Sequence, residues 1–152
     1  MREIEFRAKR TDNDEWVYGY YVQGLDFENK PINSSIVRNV TTINPVDKTI
    51  KQDVYEIDIN TLGQYTGLKD KNCKKIFEGD IVEFYLWTDY WKKIKKTGYV
   101  FWNQELGGWY VQDFTNIKSK SNLCKVNDAR HDKPVIIIGN IWDNKSLLKG
   151  EE

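Results

Sequence analysis

The sequence is poor in the residue types that most often mark a specific chemistry. It has one histidine and two cysteines in 152 residues. Cys73 and Cys124 are too few for a disulfide scaffold, and no further Cys or His at short spacing completes a zinc pattern. We therefore expect two free thiols, with Cys73 as a turn residue and Cys124 as a small core residue. We expect no metal and no other cofactor.

An excess of charge and long apolar runs are also missing. Lys and Arg number 23, and so do Asp and Glu, so no global field draws the protein to nucleic acid or an anionic membrane. No apolar run approaches the roughly 20 residues of a membrane span. The opening MREIEFRAKR lacks the apolar stretch of a signal peptide. These absences predict a cytoplasmic protein of a bacterial host cell with no membrane partner.

Good helix formers are scarce, since Ala8 and Ala129 are the only alanines, while Ile, Val, Thr and the aromatic residues are abundant. This composition favours a pleated sheet over helices. We predict a single all-β domain over residues 1–152 with one or two short helical turns. Strands and irregular connections fill residues 1–61, and better-defined strands fill residues 62–152.

Local patterns predict the individual elements. Glu3 to Arg7 alternates polar and apolar residues and should form a hairpin with the segment from Trp16 to Val22. Asp58 or Asn60 is expected to cap a short helix over residues 61–65, and Asn144 a turn near the end. Val135 to Ile138 is apolar on both faces, which predicts a central strand. Four strands are predicted in the second half: Lys75 to Trp87, Thr97 to Asn103, Trp109 to Phe114 and Pro134 to Trp142.

Three blocks carry a family resemblance: FRAKRTDNDEWVYGYY at residues 6–21, GQYTGLKDKNCKKIFEGDIVEF at residues 63–84, and IIGNIWDN at residues 137–144. In this order they resemble the YopX family of phage and prophage proteins. The resemblance implies a small, mostly β protein with an SH3-like barrel, whose core we place in the second half at residues 62–152, and it implies no catalytic residues. Where the family usually has Asn-Gly, this chain has Asn72-Cys73. Cys73 therefore either adopts a strained positive φ or changes the turn type.

Two sites for catalysis or metal binding can be drawn, and simpler interpretations compete with both. Glu78 and Asp80 would share a strand face and could hold a divalent cation, but two ligands are too few. The competing interpretation is a bend at Gly79 with Asp80 accepting backbone hydrogen bonds. His131 could act with a nucleophile in a polar loop, but no oxyanion or elbow motif accompanies it. The nucleophiles considered are Ser119, Ser121 and Cys124. We expect no enzymatic activity.

The segment from Trp87 to Tyr99 combines lysines with aromatic residues. Lysines that contact phosphates and aromatic rings that stack on bases are the ingredients of single-strand binding. The segment forms either a strand ribbon, with Lys95 and Tyr99 on one face, or a short helix, and lysines that protect a sheet edge are the competing interpretation. Alanine at all four lysines is expected to abolish such binding without unfolding the protein. The nucleic-acid-binding residues of this hypothesis are Tyr90, Trp91, Lys92, Lys93, Lys95 and Lys96.

Six tryptophans and nine tyrosines exceed the needs of one small core. Some could form an exposed patch that binds a protein, and Trp102, Trp109 and Tyr110 around the Gly107-Gly108 loop are the candidates. Cross-strand packing of the same rings is the competing interpretation. The sequence thus predicts a phage-derived interaction module that binds a protein partner or itself, with single-stranded nucleic-acid binding as the alternative.

Overall fold

A computed structural model describes residues 3–38, 42–43, 50–87, 93–116, 118–127 and 135–148. The chain forms two compact units, residues 1–65 and 66–152. This division lies close to the boundary expected near residue 62, and the single domain stays a prediction. The strands are antiparallel, which confirms the all-β class. Among the described residues, no helix has the length and apolar character needed to cross a membrane.

The first unit is a four-stranded sheet that pairs back on itself. Its main strands are β1 (Phe6–Arg10), β2 (Trp16–Leu25), β3 (Pro31–Val37) and β6 (Val54–Lys69). β1 pairs with β2, β2 with β3, β3 with β6, and β6 with β1, so the ring of pairings is complete. The two-residue strands β4 (Thr42–Ile43) and β5 (Ile50–Lys51) pair only with each other among the described residues. The predicted β1–β2 hairpin is confirmed.

A small apolar core fills the inner face of this ring, because alternate residues of each strand point inward. The buried side chains are short or branched, as a ring of four strands requires: Ala8, Val17, Ile36 and Ile57. Gly19 lies opposite Phe6 in β1, and a Cβ at Gly19 would lie 2.4 Å from the Val37 carbonyl oxygen. Only glycine allows β2 to approach β3 this closely.

The helix predicted over residues 61–65 is wrong, because these residues continue β6. Asp58 does accept the backbone amide of Asn60, as a cap would, at 3.0 Å. However, this bond lies in a bulge of the β1–β6 pairing, whose register shifts between Arg7 and Lys9. Thr61 stabilises the bulge because its hydroxyl donates to the Asp58 carbonyl and accepts the Lys9 amide. The local bond of a helix cap therefore serves a strand irregularity here.

The second unit contains a five-stranded sheet in the order β11-β10-β9-β8-β12. Its strands are β8 (Asp80–Trp87), β9 (Lys93–Asn103), β10 (Gly108–Asp113), β11 (Lys120–Asn122) and β12 (Ile136–Asn140). β7 (Lys75–Phe77) pairs with β6. Three of the four predicted strands of this half are confirmed, whereas the strand predicted from Lys75 to Trp87 is two strands, β7 and β8, separated by a turn. The described pairings define strand order and not closure, so the SH3-like barrel stays a prediction.

The central position predicted for Val135 to Ile138 is wrong. β12 pairs with β8 and lies at the end of the sheet order. Val135 is fully buried, whereas Ile138 is exposed. Backbone groups of this edge bond to the turn after β6: Lys71 N–H donates to the Val135 carbonyl at 3.0 Å, and an Asp70 carboxylate oxygen accepts the Ile137 amide at 3.3 Å. Asp70 and Lys71, which are distant in sequence, therefore cover this apolar sheet edge.

Short helices complete the second unit. α1 (Leu123–Val126) begins at Asn122, whose side chain accepts the Lys125 amide. It buries Leu123 but leaves Cys124 exposed, so the prediction of Cys124 as a core residue is wrong. Both cysteines are free thiols, as expected. The turn predicted after Asn144 is confirmed as a 3₁₀ helix (Lys145–Leu148).

The Asp70–Lys74 turn keeps its geometry although a glycine is missing. Cys73 has φ 61°, so the strained alternative is the one adopted. One Asp70 carboxylate oxygen accepts the amides of Asn72 and Lys74, at 2.8 and 2.9 Å. The Cys73 amide donates to the Asp70 carbonyl at 3.0 Å. These bonds hold a side chain in a backbone region that disfavours it.

Cys73→Gly should therefore stabilise the protein by about 1 kcal/mol, because glycine tolerates positive φ. Urea denaturation measures the change. Cys73→Ser is the matched control, since it removes the thiol but keeps the Cβ, and it should leave stability unchanged. Equal stabilities of the two variants would contradict strain at this position.

Candidate interaction surfaces

Glu78 and Asp80 serve the turn between β7 and β8, which supports the bend interpretation. Gly79 has φ 80°, and a Cβ there would lie 2.2 Å from the Trp142 ring. The buried Asp80 carboxylate accepts the Phe77 amide at 2.8 Å. Since β7 ends at Phe77, the expectation of one continuous strand through the two carboxylates is wrong. Among the described residues, no group of three or more His, Cys, Asp or Glu could hold a metal.

The structure does not test the histidine hypothesis, because His131 lies outside the described residues. Ser119 lies in the connection between β10 and β11, and Ser121 lies within β11. Cys124 is on the exposed side of α1. The absence of enzymatic activity stays a prediction.

The predicted lysine cluster is divided between the two faces of β9. Residues 93–99 form a strand, which supports the ribbon alternative for that part, while Tyr90, Trp91 and Lys92 lie outside the described residues. For Lys93 only the backbone is described. Lys96 lies opposite the buried Phe84, whereas Lys95 lies opposite Tyr85. Because neighbouring strand residues point to opposite faces, the two lysines cannot join one phosphate-binding row.

Both described lysine side chains form ion pairs, in different environments. Lys95 Nζ lies 2.9 Å from the Glu83 carboxylate, and its side chain is 60% exposed. Lys96 is 25% exposed and lies 3.1 Å from the Asp113 carboxylate, which is 3% exposed. Lys96 also donates to the Thr115 hydroxyl, which in turn donates to Asp113. Lys96 therefore belongs to a polar network around the buried Asp113 carboxylate, in which Thr115 is exposed.

Asp113 remains ionised within this network. Burial raises the pKa of Asp113, but hydrogen bonds from the Thr115 hydroxyl and amide and from Lys96 outweigh it and lower the pKa below 3.8. The network joins the ends of β9 and β10, where the Phe114 amide also donates to the Thr97 carbonyl. It has a structural role, and the expectation that alanine at all four lysines leaves the fold intact stays a prediction.

Lys96→Met should destabilise the protein by about 2 kcal/mol, because it leaves a buried carboxylate without its cation. Lys95→Met is the control, since it removes an equally long side chain from an exposed pair and should cost less than about 1 kcal/mol. Urea denaturation of the two variants compares them directly. Equal costs would contradict the structural role of Lys96.

The Asp113 network also predicts an acid-dependent loss of stability. Because the folded pKa is lowered, the ionised carboxylate contributes stability that is present above pH 3.8 and is lost as the pH falls through the folded pKa. The difference in unfolding free energy between wild type and Asp113→Asn should therefore shrink between neutral pH and about pH 2.5. Urea titrations at several pH values measure it. A difference that stays constant would rule out this linkage.

Trp102, Trp109 and Tyr110 occupy different environments. Trp102 is 43% exposed, whereas Trp109 is 7% exposed and belongs to the core of the second unit. They form a cross-strand pair with ring centroids 5.0 Å apart in an edge-on geometry. Tyr110 is half-buried and packs against Phe101. Burial removes Trp109 from any exposed patch, so Trp102 carries most of this predicted surface.

A row of rings crosses the face of β9 and β10 that is opposite the core. We call Tyr99, Phe101, Tyr110 and Phe114 the aromatic ribbon. Neighbouring ring centroids lie 5.9 to 6.4 Å apart. All four side chains are half-buried, and Lys95 lies on the same strand face as Tyr99 and Phe101. The period-two spacing of residues 95, 99 and 101 was the sequence signal for this surface.

The first unit presents a second aromatic surface on the outside of its ring of strands. Tyr18, Tyr20 and Val22 share the outer face of β2, and all three are exposed. Tyr18 and Tyr20 also line an open cleft of about 400 Å³ with Ile4, Glu3 and Glu5. Arg38 and Asp53 complete the charged part of its lining.

Cationic side chains lie over two aromatic rings of this unit. The Arg7 guanidinium lies 4.8 Å from the centre of the Trp16 ring, and Lys9 Nζ lies 5.7 Å from it. Arg10 lies 4.6 Å above Tyr55. These cation–π contacts use Trp16 and Tyr55 to stabilise the sheet. They leave Tyr18 and Tyr20 as the exposed aromatic residues of β2.

The β2–β3 hairpin extends beyond the ring of strands. β2 pairs with β1 only up to Gly19, and β3 pairs with β6 only from Ser35 onward. Among the described pairings, residues 23–25 pair only with residues in 31–34, whereas Val22 pairs with Ser35, which also pairs with β6. We call residues 22–34 the hairpin arm. Phe27 at its tip is fully exposed. Sequence analysis missed this residue, because a single aromatic residue in a polar turn has no periodic signal.

These features define the class of candidate site: apolar and aromatic surfaces on antiparallel sheets. Comparison with known proteins gives the family. A model of the YopX protein family matches residues 5–149, so the chain belongs to the YopX family. No curated protein matches it. Three chains of solved structures match.

One of these structures is titled "Crystal structure of protein EF1440 from Enterococcus faecalis". It is 24% identical to this chain, with a TM-score of 0.57, and the alignment covers 97% of this chain and 99% of that one. The similarity shows a shared fold over nearly the whole length of both chains.

Proposed function

We propose that this YopX-family protein is a phage- or prophage-encoded, non-catalytic interaction module of the bacterial cytoplasm. It binds a protein partner or a second copy of itself. One observation carries the proposal: each unit already has its own buried core, and yet Tyr18, Tyr20 and Val22 lie exposed as neighbours on the outer face of β2, with Phe27 fully exposed at the hairpin tip. Contiguous exposed apolar surface on a folded protein is typical of interaction sites.

The sheet edges favour the outer surfaces of the first unit as the binding region. In the second unit, Asp70 and Lys71 bond to the β12 edge, and the other edge strand, β11, has only three residues. Short or covered edges resist strand addition. The edge of the hairpin arm is also short and is interrupted by a bulge at Leu25 and by Pro31, so its exposed apolar side chains, and not strand addition, favour it as a binding region.

Single-stranded nucleic-acid binding is the second candidate, and one observation favours it. Lys95 is exposed on the same face of β9 as Tyr99 and Phe101 of the aromatic ribbon, so a cation and neighbouring aromatic rings share a surface. Lys96 belongs to the opposite face and is not part of this candidate site. Each phosphate contact would contribute about −0.7 to the slope of log affinity against log salt.

Affinity capture from infected bacterial cells, with and without nuclease, separates the two candidates. We expect the retained proteins to survive nuclease, and their recovery to fall with Phe27→Ala or Trp102→Ala, because truncating a buried anchor at an interface costs about 1 kcal/mol or more. Lys95→Met is the control for nucleic acid and should retain the same proteins.

Two outcomes would contradict the protein-binding proposal. One is the loss of all retained proteins after nuclease treatment. The other is recovery that depends on Lys95 and is indifferent to Phe27 and Trp102. In that case a salt titration with a labelled oligonucleotide should show the negative slope expected of phosphate contacts.

A further inference from the structure

The open cleft of the first unit forms where the pairing of β1 with β2 ends. The described register of these two strands ends at the pair of Phe6 and Gly19. The preceding residue continues along β6, because the Glu5 carbonyl accepts the Tyr65 amide at 2.8 Å. The chain before β1 therefore separates from β2, and a space of about 400 Å³ opens beside the exposed ring of Tyr20.

Arg38 and Asp53 also line this cleft, because β3 and β6 meet beside it. The Arg38 amide donates to the Asp53 carbonyl at 3.0 Å, one residue beyond the described pair of Val37 and Val54. This bond fixes the backbone of both residues, and both side chains are exposed. The Asp53 carboxylate forms no ion pair with another described residue.

The described lining combines aromatic rings with an excess of carboxylates. Tyr18 and Tyr20 are 39% and 53% exposed. Three carboxylates against one guanidinium leave a net formal charge of −2. The charged residues are Glu3, Glu5, Asp53 and Arg38. Because the faces of aromatic rings and carboxylates both attract cations, this lining is complementary to a positively charged group.

The same unit already holds a guanidinium between side chains of these two types. Arg10 lies 4.6 Å from the centre of the Tyr55 ring, and its Nε donates to the Asp12 carboxylate at 2.8 Å. In the cleft, Tyr20 and Asp53 provide a second ring and carboxylate, but no described cation lies over the Tyr20 ring. This ring and this carboxylate are therefore accessible to a cation of another molecule.

We propose that the cleft binds an arginine or lysine side chain of a protein partner. The inference rests on the proposed function and specifies the chemistry of the partner: a basic segment whose cation lies against the Tyr20 ring and pairs with Asp53. Small ligands are usually enclosed by their sites. This cleft is open, which favours a side chain that a larger partner holds in place.

The exposure of the cleft sets the expected strength. A single cation–π contact or ion pair at an exposed site changes an affinity by about two- to fivefold. A short basic peptide should therefore bind with a dissociation constant on the order of 1 mM. Arg38 opposes this binding, because it brings a like charge into the lining.

An NMR titration of the isotopically labelled full-length protein with the peptide Gly-Arg-Gly-Arg-Gly tests the inference. The matched probe is the same peptide with citrulline, which is neutral and similar in shape, in place of each arginine. We expect saturable shifts of the amides of Gly19, Tyr20 and Asp53 with the arginine peptide. The citrulline peptide should bind at least about fivefold more weakly.

Variants identify the groups that bind the cation. Tyr20→Ala and Asp53→Asn should each weaken binding about two- to fivefold, whereas Tyr20→Phe keeps the ring and should bind like the wild type. Arg38→Ala should strengthen binding, because it removes the repelling charge. Glu105→Gln is the matched control, since it neutralises an exposed carboxylate in the turn between β9 and β10 and should change nothing. Spectra without peptide check that each variant folds.

Several results would overturn the inference: no saturable shifts, equal binding of the citrulline peptide, or weaker binding by Arg38→Ala. A parallel titration with choline chloride tests for a small organic cation, and choline binding as tight as that of the arginine peptide would also overturn it. In the affinity capture, nuclease-resistant partners whose recovery is unchanged by Tyr20→Ala would overturn the inference but leave the proposed function standing.

Discussion

Pairing of β6 with both β3 and β1 is the constraint on which the first unit depends. The first residues of β6 pair with β3 at Ser35 to Val37, and later residues pair with β1 from Phe6 to Arg10. This closes the ring of pairings and leaves room for only small or branched inner side chains such as Ala8 and Val17. The bulge at Asp58 and Thr61 allows one strand to serve two partners. β1 pairs only with the first part of β2, and β6 pairs with only the last part of β3. The remaining parts of β2 and β3 therefore extend beyond the ring of strands.

The two units manage their sheet edges in different ways, and this difference supports the functional proposal. In the second unit, one edge bonds to the Asp70–Lys74 turn, and a buried Lys96–Asp113 network joins β9 to β10. The hydrogen-bonding capacity of these polar groups is used within the fold. In the first unit, the ring of pairings covers the strand edges within the ring but not those of the hairpin arm. The surface most suited to association is therefore a consequence of how the ring closes.

Much of the fold could be predicted from local patterns, because alternation in Glu3 to Arg7 and glycines at 107 and 108 act over a few residues. The errors arose where the same local sequence feature occurs in two different kinds of secondary structure. Asp58 forms the same bond in a bulge as in a helix cap. The apolar segment at Ile136 to Ile138 resembled a central strand because the cover of its edge comes from residues about 65 positions earlier in the sequence.

The candidate sites were harder to predict for a related reason. Lys95 and Lys96 are adjacent in sequence, and only the position of the core shows which of them is exposed. Trp102 and Trp109 differ in the same way, although they contact each other. Phe27 could not be recognised, because its significance lies in its exposure on a hairpin that no other described strand covers. The sequence gives the type of each side chain, but it does not show whether that side chain lies on the buried or the exposed face of its strand.

Amide hydrogen exchange of the dilute protein tests the central claim most directly. The account predicts slow exchange for the paired amides of β1 and of β6 opposite it. It predicts exchange faster by a factor of about 100 or more for the amides of residues 23–25 and 32–34, because one-sided pairs open locally. Equal exchange rates for the amides of the β1–β6 pairs and those of the hairpin arm would contradict it, since the arm would then be an integral part of the closed sheet.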